Sequence, residues 1–150
     1  MQNSLKITDR IILFPLWLLT LLPLPILYLL SDLIFLILFY LVQYRKNVVI
    51  ENLSLAFPEK STNEIRKISI GFYRYLCDYF VESIYLMNMS EKECSKRYKY
   101  TNPEILNKYY HSKQNIILAI SHYGNWEWAC NLNHHCSYII YGVYKPLSNK

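Results

Sequence analysis

The chain begins with a long apolar block, and polar and apolar residues alternate more evenly in the rest of the sequence. Between Ile11 and Tyr44 the sequence carries a single formal charge, Asp32. One helix over these 34 residues would be about 51 Å long, which is well beyond the roughly 30 Å hydrocarbon core of a bilayer. Pro23 and Pro25 lie near the middle of the block, and proline interrupts a helix interior. The pattern therefore predicts a break there.

Two arrangements of the apolar block remain open. In the first, a single span near 11–30 is followed by an apolar helix that lies on the protein body. In the second, two half-length helices form a hairpin that inserts from one side. Lys6 and Arg10 precede the block, and Arg45 and Lys46 follow it. Cations at both ends favour cytoplasmic placement of both ends, which favours the hairpin or a monotopic anchor.

The segments after the block have the signals of helices. Arg45 to Phe57 predicts a short helix that Pro58 ends. The run 61–64, Ser-Thr-Asn-Glu, is a capping-box pattern that opens a long helix. Apolar residues then recur at spacings of three and four, which predicts one face packed in a core. These residues are Ile65, Ile68, Phe72, Leu76, Phe80, Ile84 and Met87.

The second half of the chain predicts shorter elements. A second capping-box pattern starts at Ser90, and Asn102-Pro103 opens a helix to about His111. Two apolar runs predict buried strands, at Asn115–Ser121 and Tyr138–Tyr144, with a helix from Asn125 to about Asn133 between them.

A crossover of about 17 residues between these strands is long enough for a right-handed parallel unit. The predicted fold class is therefore α/β, with N-terminal apolar membrane-anchor helices followed by helices and the first βαβ unit of a sheet. We expect residues 1–45 to form the membrane anchor and residues 46–150 a partial catalytic domain.

Composition narrows the possible partners. The formal net charge is +5, from 16 basic and 11 acidic residues, without a block of five or more like charges. This distribution argues against a nucleic-acid partner, while a mild basic excess beside an apolar block suits an anionic membrane surface or an acidic partner protein.

The four cysteines have neither disulfide-framework spacing nor a C-x2-C pair. We expect free thiols in a reducing compartment, no metal site and no cofactor.

The candidate chemistry lies in the run Ser121-His122-Tyr123-Gly124-Asn125-Trp126-Glu127-Trp128. His122 directly follows the first predicted strand, at the edge of a sheet where functional groups gather. Gly124 permits a tight turn, and Asn125 can cap the next helix through its side chain. Glu127 then falls in the first helical turn, where the helix dipole favours a carboxylate.

A histidine and a carboxylate so placed suit general-base catalysis. A neutral imidazole takes a proton from a substrate hydroxyl, and the carboxylate fixes its tautomer and stabilises the imidazolium. The sequence shows no serine or cysteine nucleophile in an obvious elbow, so we expect the acceptor hydroxyl to attack without a covalent enzyme intermediate. A histidine that only caps or packs is the alternative on spacing alone.

The run 122–127 resembles the H-x4-D/E signature of glycerolipid-type acyltransferases, and its His-Tyr-Gly-Asn-Trp-Glu form is similar to the lipid A biosynthesis (lauroyl/myristoyl) acyltransferase family. Other pieces resemble the family in the same order. These are Leu30-Ser31-Asp32, Arg45-Lys46, Asn52-Leu53, Ala56-Phe57-Pro58, Phe72-Tyr73-Arg74, Asp78, Glu82, Tyr144-Lys145-Pro146-Leu147 and Asn149-Lys150. The family more often has arginine before the proline of the last motif.

The resemblance implies an acyltransferase at the cytoplasmic face of the bacterial inner membrane. Such an enzyme moves a fatty acyl chain from acyl carrier protein to a hydroxyl of a lipid A precursor. His122 is then the catalytic base and Glu127 its partner. Lys145 is a candidate for binding an anionic group of the acceptor, with Tyr123, Asn125 and Trp126 as the other substrate-binding candidates. Tyr123 and Trp126 either line a slot for the acyl chain or simply pack, and we expect Trp128 to be core.

Family members continue well past the position of Lys150, so the resemblance implies that only an N-terminal portion is present. Two alternatives follow. The enzyme could act on another glycerolipid or glycolipid acceptor, or the chain could be a non-catalytic, membrane-anchored remnant.

Overall fold

The structure is a computed structural model that describes the backbone of residues 7–143 and the side chains of residues 13–129 and 132–143. The chain forms two compact units, the first ending at Met89 and the second beginning at Ser90. The division expected after residue 45, between a membrane anchor and a partial catalytic domain, stays a prediction.

The described part of the first unit contains four α-helices. Helix α1 covers Ile7–Thr20, and α2 covers Leu24–Leu36 and continues as a π-helix over Ile37–Val42; α3 covers Lys46–Ala56 and α4 covers Thr62–Leu86. The chain leaves the helical path between Thr20 and Leu24, with Pro23 at the N-cap of α2. This is the predicted break, and two helices rather than one therefore carry the apolar block.

Helix α2 and its π-helical continuation pack along α4 more extensively than any other pair of elements among the described residues. Each helix buries a row of residues spaced mainly four apart, which is the ridge that packs into the groove of a neighbouring helix. The buried row of α2 and the π-helix is Leu24, Leu27, Ser31, Phe35 and Phe39. The buried row of α4 is Ile65, Ser69, Tyr73, Cys77 and Val81.

The buried row of α4 corrects the predicted core face. Ile65 is buried as expected, but Phe72, Phe80 and Met87 are exposed. The contact follows the ridge of residues four apart that begins at Ile65, so Tyr73 and Val81 are buried in place of Phe72 and Phe80.

Hydrogen bonds tie the two helices together at their flank. The Tyr28 hydroxyl donates to Glu82 Oε1 and the Ser31 hydroxyl donates to Asp78 Oδ1, each over 2.6 Å. The later residue of α2, Ser31, bonds to the earlier residue of α4, Asp78, so the two helices run antiparallel. We call these two bonds the carboxylate ladder.

A third bond fixes the turn that follows the π-helix. The Tyr73 hydroxyl donates to the backbone carbonyl of Tyr44. Gln43 and Arg45, on either side of Tyr44, have φ values of 52° and 51°, which non-glycine residues rarely adopt. Burial raises the pKa of Tyr73, so its hydroxyl stays neutral and available as a donor.

Side-chain caps begin two of the helices as predicted. Ser61 and Glu64 form a reciprocal capping box at α4, in which the serine oxygen accepts from the Glu64 amide and the carboxylate accepts from the Ser61 amide over 2.8 Å. Ser90 caps the first helix of the second unit by accepting from the Glu93 amide over 3.3 Å.

The second unit contains shorter elements. Helix α5 covers Glu91–Arg97, α6 covers Glu104–His111, and a 3₁₀-helix covers Trp126–His134 where the sequence predicted an ordinary helix. Residues 115–121 and 138–143, predicted as strands, form neither strand nor helix, and Tyr144 lies outside the described residues.

The βαβ part of the α/β prediction is therefore not confirmed, since the described part of the chain is helical and without strands. The physical reason is that a strand needs the backbone of a neighbour to satisfy its amides and carbonyls. Neither apolar run has such a neighbour among the described residues.

One helix of the described residues is long and apolar enough to cross a membrane by length and composition, namely Leu24–Val42, the joined α2 and π-helix. Most of its surface is not covered by protein. Among its exposed side chains are Leu29, Leu33, Leu36, Ile37, Tyr40 and Leu41.

Candidate active site

The turn that presents His122 depends on Gly124. This glycine has a φ of 63°, a left-handed conformation in which a Cβ would be strained, so the predicted tight turn is confirmed. Asn125 occupies the N-cap position of the 3₁₀-helix, and its backbone carbonyl accepts from the Trp128 amide over 3.3 Å. Its side chain does not form the predicted capping bond, which corrects that detail.

The imidazole of His122 packs against Trp126 rather than Glu127. The two ring centroids are 4.6 Å apart and the planes are steeply tilted, an edge-to-face contact. The structure records neither a hydrogen bond nor an ion pair between His122 and Glu127. The sequence placed both groups near one turn, but their side chains are not joined in this state.

Two clefts flank the turn, and each contains one member of the pair. A cleft of about 690 Å³, the histidine cleft, is lined by His122. A cleft of about 570 Å³, the glutamate cleft, is lined by Glu127. Trp126 lines both clefts, so its indole lies at their boundary.

The wall common to both clefts is mostly aliphatic. Six residues line both of them: Leu106, Leu118, Ile120, Trp126, Leu132 and Ile140. A surface of this kind suits a hydrocarbon chain, because five of the six side chains are aliphatic and the indole N–H of Trp126 is the one polar group. The arrangement places an imidazole and a carboxylate at the edges of an apolar wall.

Tyr100, Glu91 and Ser95 hold the 3₁₀-helix in place, a role that sequence reasoning assigned to none of them. The Tyr100 hydroxyl donates to the Ala129 carbonyl over 3.0 Å. His134 Nδ1 lies 3.0 Å from Glu91 Oε1, and His135 Nε2 lies 3.4 Å from Ser95 Oγ. Glu91 and Ser95 lie one helical turn apart on α5, and their partners His134 and His135 are adjacent in sequence. This matched spacing was the signal from which the two contacts could have been predicted.

The other candidate residues differ in their surroundings. Tyr123 is 89% exposed, so its side chain lines neither cleft. Lys145 lies outside the described residues. Trp128 is 7% exposed, which confirms it as core. In the part of the chain that the structure describes, no group of three or more histidine, cysteine, aspartate or glutamate residues could hold a metal ion.

Comparison with known proteins agrees with the motif. The sequence model of the family described as bacterial lipid A biosynthesis acyltransferase matches residues 3–150. No curated protein and no solved structure is similar enough to the chain to count as a match. The family match covers nearly the whole chain, and it includes the carboxylate ladder as well as the turn at His122. The chain therefore belongs to the family of bacterial lipid A biosynthesis acyltransferases, and it is an acyltransferase of lipid A biosynthesis.

Proposed function

We propose that the protein transfers a fatty acyl chain from an acyl carrier protein thioester to a hydroxyl of a lipid A precursor, with His122 as general base and Glu127 as its orienting partner. The observation that carries the proposal is the placement of these two groups on either side of an apolar wall, in a chain that belongs to this family.

In the proposed reaction, the His122 imidazole takes the proton of the acceptor hydroxyl while the hydroxyl oxygen attacks the thioester carbonyl. Collapse of the tetrahedral intermediate forms the new ester and breaks the carbon–sulfur bond. The thiolate of the carrier protein leaves and takes the proton back from the imidazolium. The Glu127 carboxylate stabilises the imidazolium between these two steps.

This role requires the imidazole to leave its contact with Trp126 and meet the Glu127 carboxylate. His122 is exposed, so protein packing does not block rotation of its side chain. Hydrogen bonds of catalytic groups are often long or misaligned without substrate and tighten when it binds. We infer that the bound acyl chain and acceptor bring the two groups together.

The acyl chain is proposed to lie along the apolar wall shared by the two clefts, with Trp126 in contact with its reacting end. Lys145 and Asn125 remain candidates for contacts with the acceptor, where a cation complements an anionic group. Tyr123, whose ring is almost fully exposed, is free to contact an acceptor that approaches from outside the clefts.

The acceptor class implies that the enzyme works at a membrane, and we propose the cytoplasmic face of the bacterial inner membrane, where acyl carrier protein is found. The exposed apolar residues of the first unit are the proposed contact with lipid. The α/β arrangement belongs to the same proposal. The runs 115–120 and 138–143 are rich in isoleucine, and they would need only a paired neighbour to become strands.

The test is an acyl-transfer assay with acyl carrier protein thioester and a lipid A precursor. We expect His122→Ala and Glu127→Ala each to lower the rate by about 10²–10⁴-fold, the usual range for loss of general-base catalysis. Matched controls are His111→Ala and Glu104→Gln, which change exposed groups on α6 outside both clefts and should leave the rate unchanged.

Rates within a few-fold of wild type for the two dyad variants would contradict the proposed roles. Mass spectrometry of membrane lipids from a deletion strain identifies the acceptor. Loss of an acyl chain from another glycerolipid or glycolipid, with lipid A unchanged, would assign the enzyme to that acceptor.

A further inference from the structure

The apolar helix Leu24–Val42 has the length and composition of a membrane span, yet its middle is polar on one side. Asp32, near the middle of the helix, is its one charged residue. Its side chain is exposed and forms no hydrogen bond or ion pair among the described residues. A carboxylate at the centre of a spanning helix is costly to insert into hydrocarbon. This group alone argues against a crossing orientation.

Helix α4 places further charged side chains beside the middle of the apolar helix. Asp78 and Glu82 form the carboxylate ladder with Ser31 and Tyr28, and the Arg74 guanidinium lies 5.1 Å from the centre of the Phe35 ring. Because α4 is antiparallel to α2 and packed along it, a crossing α2 would carry these ionisable groups into the hydrocarbon. Polar groups are seldom tolerated there unless they face a protein interior or a water-filled cavity.

The opposite face of the same helix offers only apolar and aromatic groups. On a helical projection, Leu29, Leu33, Leu36 and Tyr40 lie opposite the row that packs on α4, and all four are at least half exposed. This set is the outer face. At the C-terminal end of the helix stand two cations, Arg45 and Lys46, which complement anionic lipid head groups.

We propose that Leu24–Val42 lies in the plane of the bilayer surface instead of crossing it, with the outer face in the acyl-chain boundary and Asp32 with the carboxylate ladder at the level of the head groups. The occupant of the outer face is therefore a lipid surface. This division of one helix into a lipid side and a charged side is the signature of an interfacial helix. The inference rests on the proposed membrane location of the enzyme, but not on its catalytic residues.

The proposal fixes where each end of the helix lies. A crossing helix puts its ends on opposite sides of the membrane, whereas an in-plane helix keeps both ends on one side. The test introduces a single cysteine at Pro25 or at Asn47, both exposed, in a background with Cys130→Ser and Cys136→Ser. Cys77 and Cys94 stay in place because both are buried, and the background variant without a new cysteine gives the baseline.

Sealed right-side-out and inverted membrane vesicles are treated with a membrane-impermeant maleimide. We expect Pro25→Cys and Asn47→Cys to be labelled in the same preparation and to be protected in the other. Labelling of the two variants in opposite preparations overturns the proposal, as does an absence of labelling until detergent is added. The readout does not depend on acyl transfer, so failure of the proposed chemistry and failure of the in-plane orientation are separable.

A second pair of variants tests depth within one turn of the helix. Asp32→Cys and Leu33→Cys are adjacent in sequence but lie on the charged side and the outer face respectively. We expect at least tenfold faster labelling at position 32 than at position 33. Protection of both positions would indicate a crossing helix, and equally rapid labelling of both would indicate a helix that does not contact lipid; either result overturns the proposal.

Discussion

The two units of this protein use apolar sequence in opposite ways. In the first unit the apolar runs are helices, whose backbone groups bond within each helix, and Phe39 and Tyr73 are about 1% exposed. In the second unit the apolar runs 115–120 and 138–143 stay irregular, and Ile117 and Val143 are almost fully exposed. The difference shows that a helix needs its own sequence and one packing partner, whereas a strand needs a second strand before it can bury anything.

The largest expected effect comes from comparing one side chain in each unit. Phe39→Ala should lower the free energy of unfolding by about 3–5 kcal/mol, because it empties a site packed against Phe35 and Tyr73. Ile117→Ala should change it by less than about 0.5 kcal/mol, because an exposed side chain loses no packing. Guanidinium unfolding in detergent micelles, followed by circular dichroism, measures both.

The Ile117 variant can contradict the contrast between the packed first unit and the exposed apolar runs of the second unit. A loss of about 2 kcal/mol or more at position 117 is the cost of emptying a buried site, so it would show that residues 115–120 are packed in solution. Amide hydrogen exchange gives an independent reading, since paired strands protect their amides. Slow exchange over these residues would restore the βαβ unit that the sequence predicted.

The contrast also explains what sequence reasoning captured. Local signals, such as the break at Pro23, the capping box at Ser61 and the tight turn at Gly124, were predicted because short-range sterics and hydrogen bonds determine them. The predicted buried face of α4 was partly wrong, since the contact with α2 follows the four-residue ridge that contains Tyr73 and leaves Phe72 exposed.

At the candidate site, the motif placed His122 and Glu127 on the same short turn, and the backbone agrees. Sequence could not predict that His122 would pack against Trp126, because ring contacts depend on rotamers that spacing does not determine. Tyr100, which holds the 3₁₀-helix through the Ala129 carbonyl 29 residues later, belongs to no motif.

The next largest effect tests the polar contact inside the first unit. Ser31→Ala should cost about 1.5–3 kcal/mol, because Asp78 loses a hydrogen bond to a charged group at a partly buried position. Ser69→Ala is the matched control, since this equally buried serine bonds only to the Arg66 carbonyl of its own helix and should change stability little. Equal effects of the two variants would show that the bond to Asp78 adds nothing to stability.

Helix caps offer a comparison in which the two units should behave alike. Ser61→Ala and Ser90→Ala should each cost about 1 kcal/mol, because each removes a side chain that accepts from an amide in the first helical turn. Thr at either position should recover most of the loss. A cap effect in the first unit alone would indicate that α5 is frayed in solution.

The capping box at α4 adds a dependence on pH. Hydrogen bonds from Ser61 lower the pKa of Glu64, so the folded state favours the carboxylate. A lowered folded-state pKa gives stability that is fully present above the ordinary carboxyl pKa and is lost as the pH falls through the lowered value. Unfolding curves between pH 7 and pH 3 should therefore show a smaller acid loss in Ser61→Ala than in wild type.

The smallest expected effect concerns the contacts that hold the 3₁₀-helix in the second unit. Glu91→Gln should change stability by less than about 0.5 kcal/mol, because its pair with His134 is largely exposed and water screens it.

Tyr100→Phe should cost about 1 kcal/mol, since it removes a partly buried hydrogen bond to Ala129 while keeping the ring. The same Tyr100 variant should lower the acyl-transfer rate more than its stability loss explains, because Ala129 and Glu127 share the 3₁₀-helix and the glutamate cleft. A larger effect from Glu91→Gln than from Tyr100→Phe would mean that charge, and not burial, holds this helix.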